Sequence, residues 1–176
     1  MTAQTLKLKN LQKGFTLIEL LVVIGILAIL LAIVLIAINP AKQFGQANDT
    51  KRSSDVNAIL NAVNQYMADN KGVTPAGLDA ASCPTGTGCT ITSGANAPAV
   101  PPALGNVNLC TPLVTKFIAD LPVDPTTGVR SYNSGNCTQV GATYTTGYDI
   151  SVSSTDNRIT VFDPTPYGAN PITVTR

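Results

Sequence analysis

The sequence predicts an α+β fold: one long N-terminal helix, half membrane-spanning and half amphipathic, packed against a small antiparallel β-sheet. Three observations carry this. Phe15 to Ile38 is an apolar run interrupted only by Thr16 and Glu19. Val56, Ile59, Leu60, Val63, Tyr66 and Met67 recur at steps of three and four, one stripe of a helix. The last third of the chain alternates apolar and polar residues between Gly, Asn, Asp and Pro, as strands joined by tight connections do.

The apolar run holds 24 residues. As a helix it is about 36 Å long, enough for a hydrocarbon core of about 30 Å. Lys7, Lys9 and Lys13 precede it, and residues 1–14 contain no Asp or Glu. The basic side is expected to stay cytoplasmic while the rest is translocated. A secretory signal places its small-residue cleavage site after the apolar core. Here Gly14 comes before that core, so a cut after Gly14 would release the leader and keep the helix. Glu19 then demands explanation, because a carboxylate costs roughly 2.5–3.5 kcal/mol near the membrane centre and less at its edge.

Asn39-Pro40 interrupts the helix, and proline predicts a kink or local melting there. The helix resumes as an amphipathic half over residues 40–71, with Lys51, Arg52, Asp55, Asn61, Asn64 and Asp69 on its polar side. Lys71-Gly72 supplies a stop. Residues 72–108, rich in Gly, Pro, Thr and Ala, read as an irregular surface loop with little regular structure. A short helix is expected within 109–119, ended by Leu121-Pro122-Val123-Asp124-Pro125. Strands are expected at 142–152, 158–162 and 172–175, with a less regular one at 129–133. The organisation is a leader (1–14), an apolar helix (15–39), an amphipathic helix half (40–71) and a globular part (72–176).

The chain contains no histidine. That removes His-based triads, His acid–base catalysis and His-containing metal sites, and neither an enzyme nor a cofactor is expected. Three of the 11 cations lie in the leader, so eight face all ten carboxylates in the remainder. A near-neutral, slightly acidic remainder offers no basic patch for nucleic acid. Cys83, Cys89, Cys110 and Cys137 all follow the apolar run, an even number in a part expected to be exported. They read as up to two disulfides with three possible pairings. Proximity favours Cys83–Cys89 and Cys110–Cys137, while a reducing compartment would leave free thiols.

Lys13-Gly14-Phe15-Thr16-Leu17-Ile18-Glu19-Leu20-Leu21 closely resembles the processing site of type IV pilins and of the pseudopilins of type II secretion. The match extends over roughly residues 7–38. Beyond residue 70 it is architectural, with Leu121-Pro122-Val123-Asp124-Pro125 and Gly147-Tyr148-Asp149-Ile150 similar to stretches of the family's sheets. The resemblance implies a pilin-like fold and cleavage between Gly14 and Phe15 by a membrane prepilin peptidase, which also N-methylates Phe15. It implies an assembly ATPase and an inner-membrane platform protein as partners, with self-association into a helical filament. The subunit would start as a single-pass cytoplasmic-membrane protein with its C-terminal domain outside, then join an extracellular filament.

In such a bundle Glu19 would pair with the Phe15 amine of a neighbouring subunit, since pairing offsets the desolvation of both groups. The simpler reading is a carboxylate favoured by the positive helix N-terminus. Gly25, Ala28 and Ala32 are small residues at near-helical spacing, suited to close helix approach. Pro40 lies about one turn later than the family's helix proline. Asp124, Asn133, Asn136, Asp149, Asp156 and Asp163 supply oxygens where some pseudopilins bind calcium. Their spacing matches no EF-hand and turn formation explains them better; Asp124, Asp149 and Asp156 are the calcium candidates that remain. Four cysteines and a long Pro/Gly loop favour a type IV pilus subunit over a pseudopilin. A monomeric signal-anchored binding protein and a membrane-anchored hydrolase are the readings from other classes.

Overall fold

The computed structural model describes residues 14–93, 105–132, 137–139, 141–168 and 171–176. The chain divides into two compact units, Met1–Ala41 and Lys42–Arg176. The element order is α1 (Leu17–Ala37), α2 (Pro40–Asp69), β1 (Cys89–Ser93), β2 (Asn106–Val107), α3 (Cys110–Leu113), β3 (Val129–Arg130), β4 (Tyr144–Val152), β5 (Ile159–Asp163) and β6 (Ile172–Thr175).

The interruption at Asn39-Pro40 is a break between two helices. Ile38, the C-cap of α1, is extended at φ −93° and ψ 109°. Asn39, the residue directly before Pro40, lies outside both helices, where crowding by the proline ring disfavours helical backbone. Pro40 then opens α2, where its missing N–H costs nothing and its fixed φ suits a first helical turn.

In the second unit, α2 lays Val56, Ile59, Leu60 and Val63 into a core with Ile91, Val107, Tyr148, Ile150, Ile159 and Val161 of the sheet. Leu113 of α3 joins it, with Leu78, Leu109 and Leu121 from the connecting segments. Tyr66 and Met67, the last members of the predicted stripe, pack at its margin, Tyr66 edge-on against Phe117 with centroids 5.8 Å apart.

The sheet runs β2-β1-β4-β5-β6, with β3 paired to β4. β1 pairs with β4 over Cys89–Ser93, so β3 and β5 share the opposite edge of the nine-residue β4. The sheet is mixed rather than wholly antiparallel, since β1 and β2 run parallel. This corrects the expectation of an irregular 72–108 loop. Cys89-Thr-Ile-Thr-Ser93 alternates with Cys89 and Ile91 buried, and the strand is held between β2 and β4. The expected 109–119 helix is reduced to Cys110–Leu113. Thr115 turns the chain out of helix at φ +72°, and its N–H bonds to Ile118 O at 2.9 Å.

Candidate functional site

α1 is 21 residues without one buried side chain. It is the one helix among the described residues long and apolar enough to cross a membrane. Its start is fixed by Thr16, whose extended backbone and side chain form the N-cap. Thr16 Oγ1 accepts from Glu19 N at 3.3 Å, and Glu19 Oε2 accepts from Thr16 N at 2.8 Å and from Thr16 Oγ1 at 2.7 Å. This is a reciprocal capping box. Thr16-Leu-Ile-Glu19 before an apolar run was its sequence signal, and reading Glu19 alone missed it. Glu19 therefore has local partners at the helix N-terminus, where the macrodipole also favours a negative group. Phe15 is 84% exposed. A Cβ built on Gly14 or Gly25 would meet nothing within 4 Å. Lys7, Lys9 and Lys13 lie outside the described residues.

The second unit holds a buried ionic pin built from a cation on the side of α2 that the sequence marks as polar. Arg52, expected on the polar side of α2, is 3% exposed. Its Nε donates to Asp124 Oδ2 at 2.5 Å, Nη1 to Asp49 Oδ1 at 2.9 Å, and Nη2 to Thr126 Oγ1 at 2.6 Å. Asp163 Oδ2 lies 3.2 Å from the same Nε, but the single Nε–H serves Asp124 and leaves that oxygen without a hydrogen bond. Both carboxylates belong to the tripeptide Asp-Pro-Thr, at 124–126 and 163–165. In each the Asp Oδ1 accepts the backbone N–H two residues on, at 2.7 Å from Thr126 and 2.9 Å from Thr165. These turns leave the other oxygen for arginine. Burial pulls the Asp124 carboxyl up, but Arg52 and the Thr126 and Thr127 donors outweigh it and hold it well below the usual carboxylate range. Burial likewise acts on Asp49, where the N–H of Tyr167, Arg52 and the N–H of Gly168 prevail and lower it. Beside the pin, Asp55 accepts from Tyr148 Oη at 2.8 Å and from Lys51 Nζ at 2.6 Å.

The remaining predicted residues divide clearly. Cys83 is disulfide-bonded to Cys89 and Cys110 to Cys137, clasping the segments that flank β1 and α3. Asp124 is committed to Arg52. Asp149 stands half-buried on β4, raised by burial although Thr90 bonds it. Asp156 sits in the exposed β4–β5 turn, accepting from Arg158 N at 3.2 Å. Among the described residues no three acidic or cysteine side chains gather as a metal site would require. Asn133 and Asn136 lie outside the described residues.

The family model described as the prokaryotic N-terminal methylation motif matches residues 9–35. The chain is similar to the type II secretion system core protein G of Aeromonas hydrophila, 42% identical over 74 residues, covering 41% of this chain and 50% of the relative. It is also similar to the type II secretion system core protein G of Escherichia coli strain K12, 33% identical over 114 residues, covering 65% of this chain and 66% of the relative. The chain thus spans about half to two thirds of these relatives' length. No solved structure matches it significantly.

Proposed function

The chain belongs to the type IV pilin and pseudopilin family, and from that premise we propose that it is a pseudopilin-type filament subunit of a type II secretion machine. The observation that carries this reading is α1, a helix of 21 residues with no side chain buried in its own protein and one carboxylate in its first turn. Such a helix needs an apolar surrounding supplied from outside, by lipid first and by copies of itself afterwards. The two core protein G relatives favour secretion over the pilus reading, whose support is the pair of disulfides and the Pro/Gly-rich loop.

A prepilin peptidase cuts between Gly14 and Phe15 and N-methylates Phe15. Before assembly the Thr16 N–H and hydroxyl hold the Glu19 carboxylate and offset part of its cost at the membrane edge. After the cut each subunit carries an amino cation at Phe15. In the bundle a neighbour's amine takes over the carboxylate, so the pair forms only when the subunits are in register. An assembly ATPase and a platform protein supply the extraction from the cytoplasmic membrane.

The test is a chromosomal deletion complemented with wild type or Glu19→Ala. Secreted enzymes in the medium, sheared surface filaments and the mature N-terminus by mass spectrometry are followed together. We expect the deletion to abolish secretion, and Glu19→Ala to be processed at Phe15 yet fail to restore it. Normal secretion with loss of surface filaments would instead favour the pilus. Full restoration by Glu19→Ala would reject the pairing. Because a Cβ added at Gly14 meets nothing within 4 Å, Gly14→Leu should leave the folded domain undisturbed and block processing through the peptidase alone.

A further inference from the structure

Resting on the membrane-held reading above, we propose that Phe44 and Tyr167 form an aromatic foot by which the unassembled domain stands on the lipid headgroup layer. Both belong to the second unit, and both are solvent-facing, Phe44 at 71% and Tyr167 at 56% exposure. Tyr167 is held in place rather than left at a loop tip. Asp49 Oδ1 accepts the Tyr167 N–H at 3.0 Å and Asp49 Oδ2 the Gly168 N–H at 2.9 Å. The ring lies over Gly45, where a Cβ would overlap its carbon atoms. Gly45 is buried for that reason and follows Phe44 directly. The fold thus carries a residue from beyond β5 back to the second turn of α2, beside an exposed phenylalanine.

Chain length fixes what this end of α2 can reach. Six residue steps lead from Ile38 to Phe44, about 20 Å even if fully extended. Phe44 therefore cannot leave the neighbourhood of the span's outer end. α2 itself is 30 residues, about 45 Å, so its two ends are separate places on the second unit. Aromatic side chains with an apolar body and, in tyrosine, a polar tip suit the membrane–water boundary. Two side chains fall far short of the roughly 1,000 Å² that a stable protein–protein contact needs. A surface already tethered to the bilayer needs no such area, and lipid is the occupant this patch fits.

The chain contains no tryptophan, so a single substitution gives a unique fluorophore. Tyr167→Trp, Val73→Trp at an exposed position just beyond the far end of α2 and Leu21→Trp in the span are each placed in the full processed chain. The vesicles are phosphatidylethanolamine and phosphatidylglycerol, brominated at the carbonyl end of their acyl chains. Quenching in Tyr167→Trp is expected to exceed that in Val73→Trp several-fold. Equal, weak quenching in those two, with Leu21→Trp strongly quenched, would overturn the foot while leaving the membrane reading intact. Weak quenching in all three would sink both. A Tyr167→Trp fluorophore shielded from aqueous acrylamide but untouched by brominated lipid would mean that protein covers the patch, and the lipid assignment would fall.

Discussion

The two long helices of this chain use their side chains in opposite ways. α1 buries none of its 21 residues, whereas α2 buries seven of 30, among them Val56, Ile59, Leu60, Val63 and the cation Arg52. The apolar groups of α2 are spent inside the domain, so changing them changes the fold. Those of α1 stabilise nothing within the chain, and their free energy is realised only against lipid or another subunit. The physical lesson is a separation of labour: substitutions around α2 should move stability and leave assembly competence to follow. Substitutions in α1 should move assembly and leave domain stability alone.

The largest effect on the α2 side belongs to the pin. Arg52→Met removes the cation shared by Asp124 and Asp163 and leaves two buried carboxylates uncompensated. It should cost about 3–5 kcal/mol, read from denaturant unfolding of the detergent-solubilised chain. The pH dependence has a definite sign. Asp124 is held below its ordinary value, so its contribution is present above the unfolded carboxyl pKa of about 4 and is lost as pH falls through the folded one. Wild type should weaken on acidification below that point, and Arg52→Met should weaken less. Unchanged stability in Arg52→Met alongside lost filaments would break the separation.

Next in size is the Cys110–Cys137 clasp, which closes a loop of 27 residues. Replacing both cysteines by serine should cost about 2–4 kcal/mol, visible as a lowered melting temperature that reductant shifts less than it shifts wild type, since Cys83–Cys89 remains. Smaller again is Gly147→Ala. Gly147 has φ +83°, and a Cβ there would meet Thr127 Oγ1 at 2.6 Å and Asp124 Cβ at 2.7 Å. Glycine lets the 123–128 turn lie on β4 and deliver Asp124 to Arg52. Crowding of this kind costs about 1–3 kcal/mol, measurable by the same unfolding curve.

Legibility follows the same division. The stripe of α2 could be read because its period is local, and β4 to β6 because alternation over four to nine residues is local too. The apolar α1 was plainer still. β1 was lost because five alternating residues lie in a Gly-, Pro- and Cys-rich neighbourhood that argues for loop, and the sheet partners that decide the matter are far along the chain. Arg52 reads as part of the polar side of α2 because it stands among polar residues off the apolar stripe. Its burial depends on Asp124 and Asp163, 72 and 111 residues away. The repeated Asp-Pro-Thr was the available clue, though spacing alone does not say that two turns will close on one guanidinium. At the N-terminus the processing motif and Glu19 were visible from types and spacing, while the role of Thr16 emerged only from the geometry of the cap.

The smallest expected effect on stability is also the sharpest test of the comparison. Gly25 lies in α1, and a Cβ added there meets nothing within 4 Å. Gly25→Leu should therefore leave unfolding of the second unit unchanged, and by helix propensity it should favour α1 by up to about 1 kcal/mol. Leader removal should proceed as in wild type. If Gly25 with Ala28 and Ala32 admits a neighbouring helix, the added side chain holds that helix away and filament yield falls although nothing in the subunit has been harmed. Processing, membrane insertion and sheared filaments measured on one strain separate these outcomes. Undiminished filaments from Gly25→Leu would show that this face of α1 meets only lipid or loosely packed neighbours, and close approach would have to be sought on another face of the same helix.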